Sequence, residues 1–438
     1  MSFELSPVKL VYGGDALGFC AGNTVLSPGV LPGERAEVEE VSRQKGVIHA
    51  RPLRILEPSP ERIEPACPYF GRCGGCQYQH LPYPAQVTAK VEILRETLRR
   101  LGQVRWEQPI PALSGPAWNY RNQAQLKIGK TPDGAPALGF YEAGSNRLVS
   151  IEACPILSPR LNALVSVLRT EPWISVLGGG SEVELLTDDR DEKVILALAG
   201  SWGAEESEKL ARQCLAELAG VATVAIVSKD AQSCSVLGEP HLTYRVGEFS
   251  YRVSPGAFFQ SSRILLPELV AAVVAPGPKA GILLSEEAGG VAIDLYAGVG
   301  LFTLPLAMRF DQVIALESDP QAAADLAANA RTVPGNKIRA IAGTTFDFLR
   351  RCAQMEPDLV VMDPPRAGVG VAELKILLKL RPQRLRYVSC SPPTLARDLG
   401  FLLSHGYRLD SLELFDCFPQ TYHIESLARL SRTGAESA

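Results

Sequence analysis

Sulfur-bearing and acidic side chains directly follow apolar runs in the last third of the sequence. Asp363 follows one run, in Asp-Pro-Pro-Arg366, and Cys390 follows the next, in Ser-Cys-Ser-Pro-Pro. In open α/β sheets, ligands bind beyond the carboxyl ends of the strands, so both side chains are expected at one edge. A cysteine there is a candidate nucleophile, with Arg366 or Arg397 favouring its thiolate. A buried structural thiol is the alternative.

Two residues near the end of the chain are candidates for proton transfer or for positioning. Glu425, in His-Ile-Glu-Ser, is the candidate general base, because a carboxylate beside a reacting carbon can accept its proton. His423 is expected to be structural or to position the substrate.

A glycine-containing turn predicts a nucleoside site. It spans Tyr296–Gly300, and Gly298 and Gly300 separate an apolar run from a helix start, so backbone N–H groups face the sheet edge. Glu317 ends the next apolar run, where a carboxylate can accept from ribose hydroxyls. The spacing lacks a third glycine, which favours S-adenosylmethionine (AdoMet) over NAD, and Gln260 is placed to donate to a cofactor carboxylate. The alternative is a packing turn with a solvated Glu317.

Four cysteines have the spacing of metal ligands. Cys67, Cys73 and Cys76 form the pattern C-x5-C-x2-C around a glycine pair, and Cys154, like Cys67, precedes a proline. Glycines let the backbone fold tightly and direct N–H groups at sulfur. The local chemistry leaves both a [4Fe–4S] cluster and a structural zinc site open.

The elements that carry these residues predict a multidomain α/β protein. Residues 1–60 contain short alternating stretches between turn dipeptides, which predicts a small OB-like β-barrel that either binds RNA or serves as a spacer. Residues 61–250 mix strand and helix patterns, which predicts a central α+β domain with the four cysteines. Residues 251–438 alternate strands and helices, which predicts a Rossmann-like domain.

One helix is predicted over residues 84–101, where apolar residues recur at helical spacing. Its arginines are expected to be solvated. Its buried face is expected to comprise Val87, Val91, Leu94, Leu98 and Leu101.

Composition excludes some classes of protein. The 438 residues carry a formal net charge of −4, and 46% are hydrophobic, which is ordinary for a folded soluble protein and offers no global electrostatic case for nucleic acid. The N-terminal residues lack the basic and apolar regions of a signal peptide, and no apolar run is long enough to span a membrane. We therefore expect a cytoplasmic protein without a membrane partner, and no obligate protein partner is evident.

In this order, the motifs resemble those of the class I RNA uracil-5-methyltransferases that carry an N-terminal TRAM domain. The resemblance covers nearly the whole chain and implies a TRAM barrel at residues 1–60. It implies a [4Fe–4S] cluster on the four cysteines Cys67, Cys73, Cys76 and Cys154. It also implies that AdoMet is bound by Gln260, Tyr296, Gly298, Gly300, Glu317 and Asp363.

The resemblance implies a mechanism that explains the residue types. Uracil C5 is a poor nucleophile, so a Cys390 thiolate would first attack C6 and raise the electron density at C5. C5 would then take the methyl group of AdoMet, and Glu425 would remove its proton. The target base must leave its stack in the RNA, with ribosomal RNA favoured over transfer RNA.

Three positions depart from the family pattern. Ser391 stands where asparagine is common, Ala297 stands where cysteine is common, and Ser262 stands where asparagine is frequent. These changes bear on substrate positioning more than on the chemistry.

Two other functions fit part of the pattern. An RNA cytosine-5-methyltransferase also uses a cysteine in a Ser-Cys-Ser turn like that of Cys390, but usually has a second cysteine in the loop that begins here at Asp363. A non-enzymatic RNA-binding protein with a degenerate methyltransferase domain would not require Cys390, Glu425 and the glycine turn to be intact.

Overall fold

The computed structural model describes residues 2–131, 134–228, 234–275, 289–351 and 355–434. None of the helices in these ranges combines the length and the apolar character that a membrane-spanning segment requires. The chain forms an N-terminal sheet, a central sheet and a larger C-terminal sheet, together with a separate hairpin.

The N-terminal sheet is built from the first strands of the chain: β1 Ser2–Leu5, β2 Lys9–Leu10, β3 Asp15–Cys20, β4 Asn23–Pro28, β5 Arg35–Gln44 and β6 Val47–Glu57. Their order is β1-β5-β6-β4-β3-β2. Gly18 on β3 packs closely against β1, where an added Cβ would come within 2.7 Å of Leu5 Cδ1. Short strands therefore occupy this region as expected, and their assignment to the TRAM family stays a prediction.

A helix and a short strand link this sheet to the central one. Helix α1 spans Tyr83–Leu101, which agrees with the predicted helix, and β7 spans Ala112–Leu113. The buried face of α1 differs from the predicted one, because it consists of Gln86, Lys90, Ile93, Leu94 and Leu98.

The central sheet carries its helices on the connections between strands. Its order is β10-β9-β8-β11-β12-β13-β14, and only β12 and β13 pair in parallel. The bounds are β8 Gln123–Lys130, β9 Pro136–Tyr141, β10 Leu148–Ser150, α2 Pro159–Leu168, α3 Trp173–Val176, β11 Gly180–Thr187, β12 Val194–Gly200, α4 Ala204–Glu217, β13 Val221–Ser228 and β14 Cys234–Gly238.

A hairpin and a helix lead into the C-terminal sheet, which alternates strands and helices. The bounds are β15 Leu242–Val246, β16 Phe249–Val253, α5 Leu266–Val274, β17 Val291–Leu295, α6 Thr303–Ala307, β18 Gln312–Glu317, α7 Pro320–Ala330, β19 Ile338–Ala342, α8 Thr345–Arg351, β20 Leu359–Met362, α9 Val371–Leu377, β21 Arg384–Ser389, α10 Pro392–Leu403, β22 Tyr407–Phe415 and β23 Glu425–Arg432.

The C-terminal sheet has a doubly wound order, β19-β18-β17-β20-β21-β23-β22-β7. Strands β17 to β21 are parallel, and β23 is antiparallel to both of its neighbours. The order reverses between β17 and β20, so a ligand crevice is expected beyond the carboxyl ends of these strands. The fold therefore matches the predicted α/β architecture.

The segment around α1 belongs spatially to the C-terminal sheet. Strand β7 pairs with β22, and Gly102, just after α1, lies against α10, where an added Cβ would meet Ala396 O at 2.2 Å. The sequence predicted that residues 83–113 belong to the central domain, which was expected to span residues 61–250. In the structure they pack on the C-terminal domain instead. Helix α1 also holds the segment before Glu425, because Lys90 Nζ contacts Asp416 Oδ1 and donates to Phe418 O.

Candidate active site

The glycine turn follows β17 and closes on the carboxylate at the end of β18. Gly298 N donates to Glu317 Oε2 at 2.8 Å, while the backbone N–H groups of Ser318 and Asp319 donate to Oε1 at 2.7 Å. Gly298 and Gly300 have φ of +55° and +97°, a region that favours glycine. The turn therefore brings backbone donors and a carboxylate to one edge of the sheet, as a nucleoside site requires.

Tyr296, in the same turn, has a left-handed backbone with φ of +61°. Its hydroxyl donates to Glu373 Oε2 on α9 at 2.5 Å. The glycine turn is thus tied to the helix that follows the Asp-Pro-Pro-Arg loop, and the two loops that border the crevice cannot shift independently.

Asp294, at the end of β17, is a site residue that the sequence reasoning did not single out. Its carboxyl is fully buried, accepts from Thr303 Oγ1 at 2.6 Å, and has a second oxygen without a hydrogen-bond partner in the described part of the chain. Burial raises the pKa of this carboxyl to about 7, against the opposing effect of the Thr303 hydrogen bond. An aspartate inside an apolar strand, directly before the glycine turn, is the sequence signal that could have identified it.

Gln260 and Asp363 lie together beyond the strand ends. Gln260 Nε2 donates to Asp363 Oδ2 at 3.1 Å. Burial raises the pKa of Asp363 to about 7, although the Gln260 hydrogen bond opposes the shift. Of the two phenylalanines that precede Gln260, Phe259 is buried in the core, whereas Phe258 is 66% exposed.

Cys390 directly follows β21 in a turn held by its two flanking serines. Ser391 N donates to Ser389 Oγ at 3.2 Å, and Ser426 Oγ donates to Ser389 O at 3.2 Å. Burial raises the pKa of the Cys390 thiol to about 12, and the Glu425 and Asp363 carboxyls add to this shift. The thiol therefore lies close to both acids.

The positive charge near this thiol comes from Arg366. Its guanidinium opposes the rise in the Cys390 pKa. Arg397, the other candidate, instead pairs with Asp398 at 2.8 Å and donates to Ala367 O at 3.0 Å. Arg397 thus braces the loop that carries Arg366 rather than the thiolate.

Glu425 begins β23 and points into the same buried space. Only 3% of the residue is exposed, and its Oε1 has no hydrogen-bond partner among the described residues. Burial, and then repulsion from Asp363, raises the pKa of Glu425 well above its usual range. A buried carboxylate with an unpaired oxygen is a strong proton acceptor, as a general base must be.

His423 is not suited to carry a proton at neutral pH. Burial, and then the nearby Arg366 cation, lowers the pKa of its imidazole to about 4. The ring lies between Tyr422, with centroids 4.3 Å apart, and Phe418, with centroids 5.7 Å apart. This arrangement agrees with the structural or positioning role expected from the sequence.

The side chains of Cys67, Cys73, Cys76 and Cys154 lie near one another, although their separations in space are not those of metal ligands. All are free thiols, and burial raises the pKa of Cys76 to about 12, with further increments from Cys154, Cys73 and Cys67. Gly75 N donates to Cys73 Sγ at 3.4 Å. In the described ranges, however, no three His, Cys, Asp or Glu side chains are spaced to hold a metal ion. The donor identities fit a thiolate-bound metal, and the distances do not themselves form a metal site.

Comparisons with known proteins decide the family. The family model described as tRNA (uracil-5-)-methyltransferase matches residues 82–433. The chain belongs to this family. It is therefore an enzyme of the RNA uracil-5-methyltransferase class, as the motif order predicted.

Relatives match this uracil-5-methyltransferase over almost its full length. A protein of Aquifex aeolicus named as an uncharacterized RNA methyltransferase is 33% identical over 436 residues, with 98% of each chain covered. The 23S rRNA (uracil(1939)-C(5))-methyltransferase RlmD of Cronobacter sakazakii is 35% identical over 424 residues, covering 94% of this chain and 92% of RlmD.

A solved structure supports the fold of the family member. The Pyrococcus abyssi tRNA (uracil-54, C5)-methyltransferase, in complex with S-adenosyl-L-homocysteine, has a TM-score of 0.71 and 24% identity, covering 97% of this chain and 100% of its own. At this identity the match concerns the fold.

Proposed function

We propose that this methyltransferase converts a uridine of 23S rRNA to 5-methyluridine through a covalent bond between Cys390 Sγ and uracil C6. The observation that carries the proposal is the meeting of Cys390, Asp363 and Glu425 in one buried space at one edge of the sheet, where β20 pairs with β21 and Ser389 pairs with Ser426. Packing alone does not favour this arrangement, because two buried carboxylates, those of Asp363 and Glu425, repel each other.

The proposed steps use each group once. The Cys390 thiolate adds to C6 and forms the C–S bond, which moves the ring electrons to C5 and O4. C5 then displaces the methyl group of AdoMet, the chemistry that this cosubstrate supplies when bound. Glu425 takes the C5 proton, and the returning electron pair breaks the C–S bond and releases the thiolate.

Arg366 and Asp363 influence the protonation of the two reacting groups, the Cys390 thiol and the Glu425 carboxylate. The Arg366 cation favours the thiolate over the thiol. Repulsion from Asp363 makes Glu425 a stronger base, and protonating Glu425 at the C5 step relieves that repulsion. Gln260 and Asp363 are proposed to orient the cosubstrate beside C5.

The proposed cosubstrate site is the crevice beyond β17 and β18. Glu317 would accept from the ribose hydroxyls, while the backbone of the turn from Tyr296 to Gly300 would approach the rest of the nucleoside. The Glu317 carboxylate accepts three backbone N–H groups, which fix its position at the end of β18.

Relatives favour ribosomal RNA as the substrate. Proteins named 23S rRNA (uracil(1939)-C(5))-methyltransferase are 35% identical in Cronobacter sakazakii and 32% identical in Alkalilimnicola ehrlichii, each over more than nine-tenths of both chains. The transfer RNA enzyme of Pyrococcus abyssi is more distant, at 24% identity.

We also propose that Cys67, Cys73, Cys76 and Cys154 hold a [4Fe–4S] cluster. The support is the convergence of four free thiols and a backbone N–H directed at one sulfur. Methyl transfer is redox-neutral, so the cluster would order the surrounding chain rather than exchange electrons. Iron and sulfide analysis of anaerobically purified protein should find the cluster, and zinc instead of iron would contradict it.

The reaction is tested by mass spectrometry of nucleosides from unmodified 23S rRNA and tRNA after incubation with AdoMet and the protein. We expect 5-methyluridine in 23S rRNA with the wild type, none with Cys390→Ala, and normal product with Cys214→Ala, which removes a buried thiol from α4. Product in tRNA alone would refute the substrate, and 5-methylcytidine would refute the base.

The role of Glu425 is tested in the same reaction. Glu425→Gln should still form the Cys390–RNA bond but should not complete elimination, so a protein–RNA adduct should persist on a denaturing gel. Failure to trap any adduct, together with normal product, would remove Glu425 as the base.

A further inference from the structure

A tyrosine from the N-terminal sheet lies beside the nucleophile. Tyr12 is in the turn between β2 and β3, yet its hydroxyl donates to Cys390 O at 3.4 Å, 378 positions away along the chain. Burial raises the pKa of Tyr12, and the Ser391 side chain opposes this rise, so Ser391 lies beside the same hydroxyl. The N-terminal sheet thus contacts the turn that presents the thiol.

The turn that carries Tyr12 packs closely against Gln77 and Tyr422, which lie near the active site. Gly14 N donates to Val11 O at 3.2 Å, and Gly14 has φ of +95°. A Cβ on Gly14 would come within 2.7 Å of Gln77 Cγ and 3.5 Å of Tyr422 Cδ1. The turn is therefore fitted against these residues, and it holds the Tyr12 side chain in a defined place.

Tyr12 also contacts the segment that leads to the base. Its ring meets the Tyr422 ring edge to face, with centroids 5.4 Å apart and an interplanar angle of 88°. Aromatic pairs in this geometry are favourable beyond the area they bury. Tyr422 is followed by His423 and then by Glu425, so one side chain touches both the nucleophile's turn and the approach to the base.

We propose that Tyr12 is a positioning residue for methyl transfer, which holds the Cys390 turn in register with the Tyr422–Glu425 segment. The N-terminal sheet then completes the active site, in addition to any contact it makes with RNA. This inference rests on the proposed role of Cys390 as nucleophile.

The position of Ser391 fits this role. Ser391 directly follows Cys390, and its side chain lowers the pKa of the Tyr12 hydroxyl against the effect of burial, so it lies at the same contact. Because both residues would act at one contact, Tyr12→Phe and Ser391→Ala should not be additive in a double-mutant cycle.

The test compares Tyr12→Phe and Tyr12→Ala with Tyr407→Phe. Tyr407 OH donates to Pro382 O at 2.5 Å, so its loss is the same chemical change. Tyr407 begins β22 and lies about 26 Å by strand rise from Phe415 at the active-site end. Two rates are measured: methylation, resolved into kcat and KM for RNA, and alkylation of Cys390 by iodoacetamide without RNA, read from its peptide mass.

We expect Tyr12→Phe to lower kcat about threefold to tenfold, the effect of one lost hydrogen bond, with KM nearly unchanged. Tyr12→Ala should lower kcat further and change the Cys390 alkylation rate about threefold or more, because the turn that presents the thiol loses the hydrogen bond and the ring contact with Tyr422 together. Tyr407→Phe should leave both rates as in the wild type.

Two outcomes would overturn the inference. If KM rises while kcat and the alkylation rate stay constant, Tyr12 is an RNA contact only. If no rate changes in either variant, Tyr12 only packs. Should Tyr12→Ala fail to fold, Tyr12→Phe keeps the ring and still decides. Absence of 5-methyluridine with the wild type would refute the proposed function instead, while the alkylation rates would still report on Tyr12.

Discussion

Cys390 lies in surroundings that disfavour its own reactive form. Burial and the two nearby carboxyls raise the pKa of the thiol to about 12, and only the Arg366 cation acts in the opposite direction. At neutral pH the free enzyme therefore holds a protonated thiol. If Cys390 is the nucleophile, as proposed, its reactivity is limited by this small thiolate fraction.

This environment predicts a pH dependence for the thiol. Because the pKa lies above the working range, the thiolate fraction should keep rising from roughly pH 7 to 9.5, without the plateau that an ordinary thiol near 8.5 shows. The alkylation rate of Cys390 should follow this line, and free cysteine in the same buffers is the reference. A plateau near pH 8.5 would mean that the thiol is not shielded.

Arg366→Met should lower the same rate without changing its slope. Loss of the cation raises the thiol pKa further, which reduces the thiolate about threefold to tenfold at every pH below it. Arg99→Met, an exposed residue on α1, is the matched control. Equal rates in the two variants would show that Arg366 does not favour the thiolate.

Helix α1 shows that the sequence can predict where a helix lies without predicting correctly which of its faces is buried. The spacing of Val87, Val91 and Leu101 predicted an apolar face, but Leu101 is 60% exposed. The buried side instead carries Gln86 and Lys90 beside Leu94 and Leu98. Apolar spacing indicates a helix, but a polar residue enters the core when a distant partner satisfies it.

That partner is the segment before Glu425. Lys90 Nζ contacts Asp416 Oδ1 at 2.6 Å, with both side chains fully buried, and donates to Phe418 O at 2.9 Å. Gln86 Nε2 donates to Gln420 Oε1 at 2.9 Å, and Gln420 N donates back to Gln86 Oε1 at 2.9 Å. The helix thus holds residues 416–420 by polar contacts.

Lys90→Met should destabilise the protein by about 3–5 kcal/mol, because it leaves the Asp416 charge buried without its partner. Urea unfolding measures the loss. Arg100→Ala is the control, since Arg100 pairs with Glu96 at 3.7 Å on the surface and should cost less than about 1 kcal/mol. If Lys90→Met also lowered the free energy of unfolding by less than about 1 kcal/mol, the buried pair would contribute little to stability.

At the scale of the whole molecule, distant parts of the chain meet on the segment that precedes Glu425. The N–H groups of Gln77 and Tyr78 donate to Gln420 O at 3.0 and 2.9 Å, while Tyr422 N donates to Gln77 Oε1 at 3.4 Å. Gln77 directly follows Cys76. The cysteine segment is therefore hydrogen-bonded to the segment that precedes Glu425.

Loss of the proposed cluster should be felt at this segment. In Cys76→Ala, purified beside the wild type, we expect loss of bound iron and faster hydrogen exchange at residues 418–424, because their anchor at residues 77 and 78 is no longer ordered. Cys234→Ala, which removes an exposed thiol, should retain iron and wild-type exchange. Unchanged exchange in an iron-free protein would separate the cysteine site from the active site.

Local patterns in the sequence were enough to place the strand ends and the side chains that follow them. Asp363 and Cys390 follow apolar runs, and the carboxyl ends of parallel strands share one edge of a sheet, so their proximity follows from sequence and topology. Glu317 was placed in the same way, by the acid that ends the strand after the glycine turn.

Only the tertiary structure decided which distant segments meet. The contact of Tyr12 with Cys390, the pairing of Lys90 with Asp416 and the packing of residues 83–113 on the C-terminal sheet have no local signal. The raised pKa of Glu425 is also a tertiary property, because desolvation and the repulsion from Asp363 arise only when the loops close over one space. The period of the apolar residues indicates which kind of element forms, whereas tertiary packing determines which of its side chains are buried and against what.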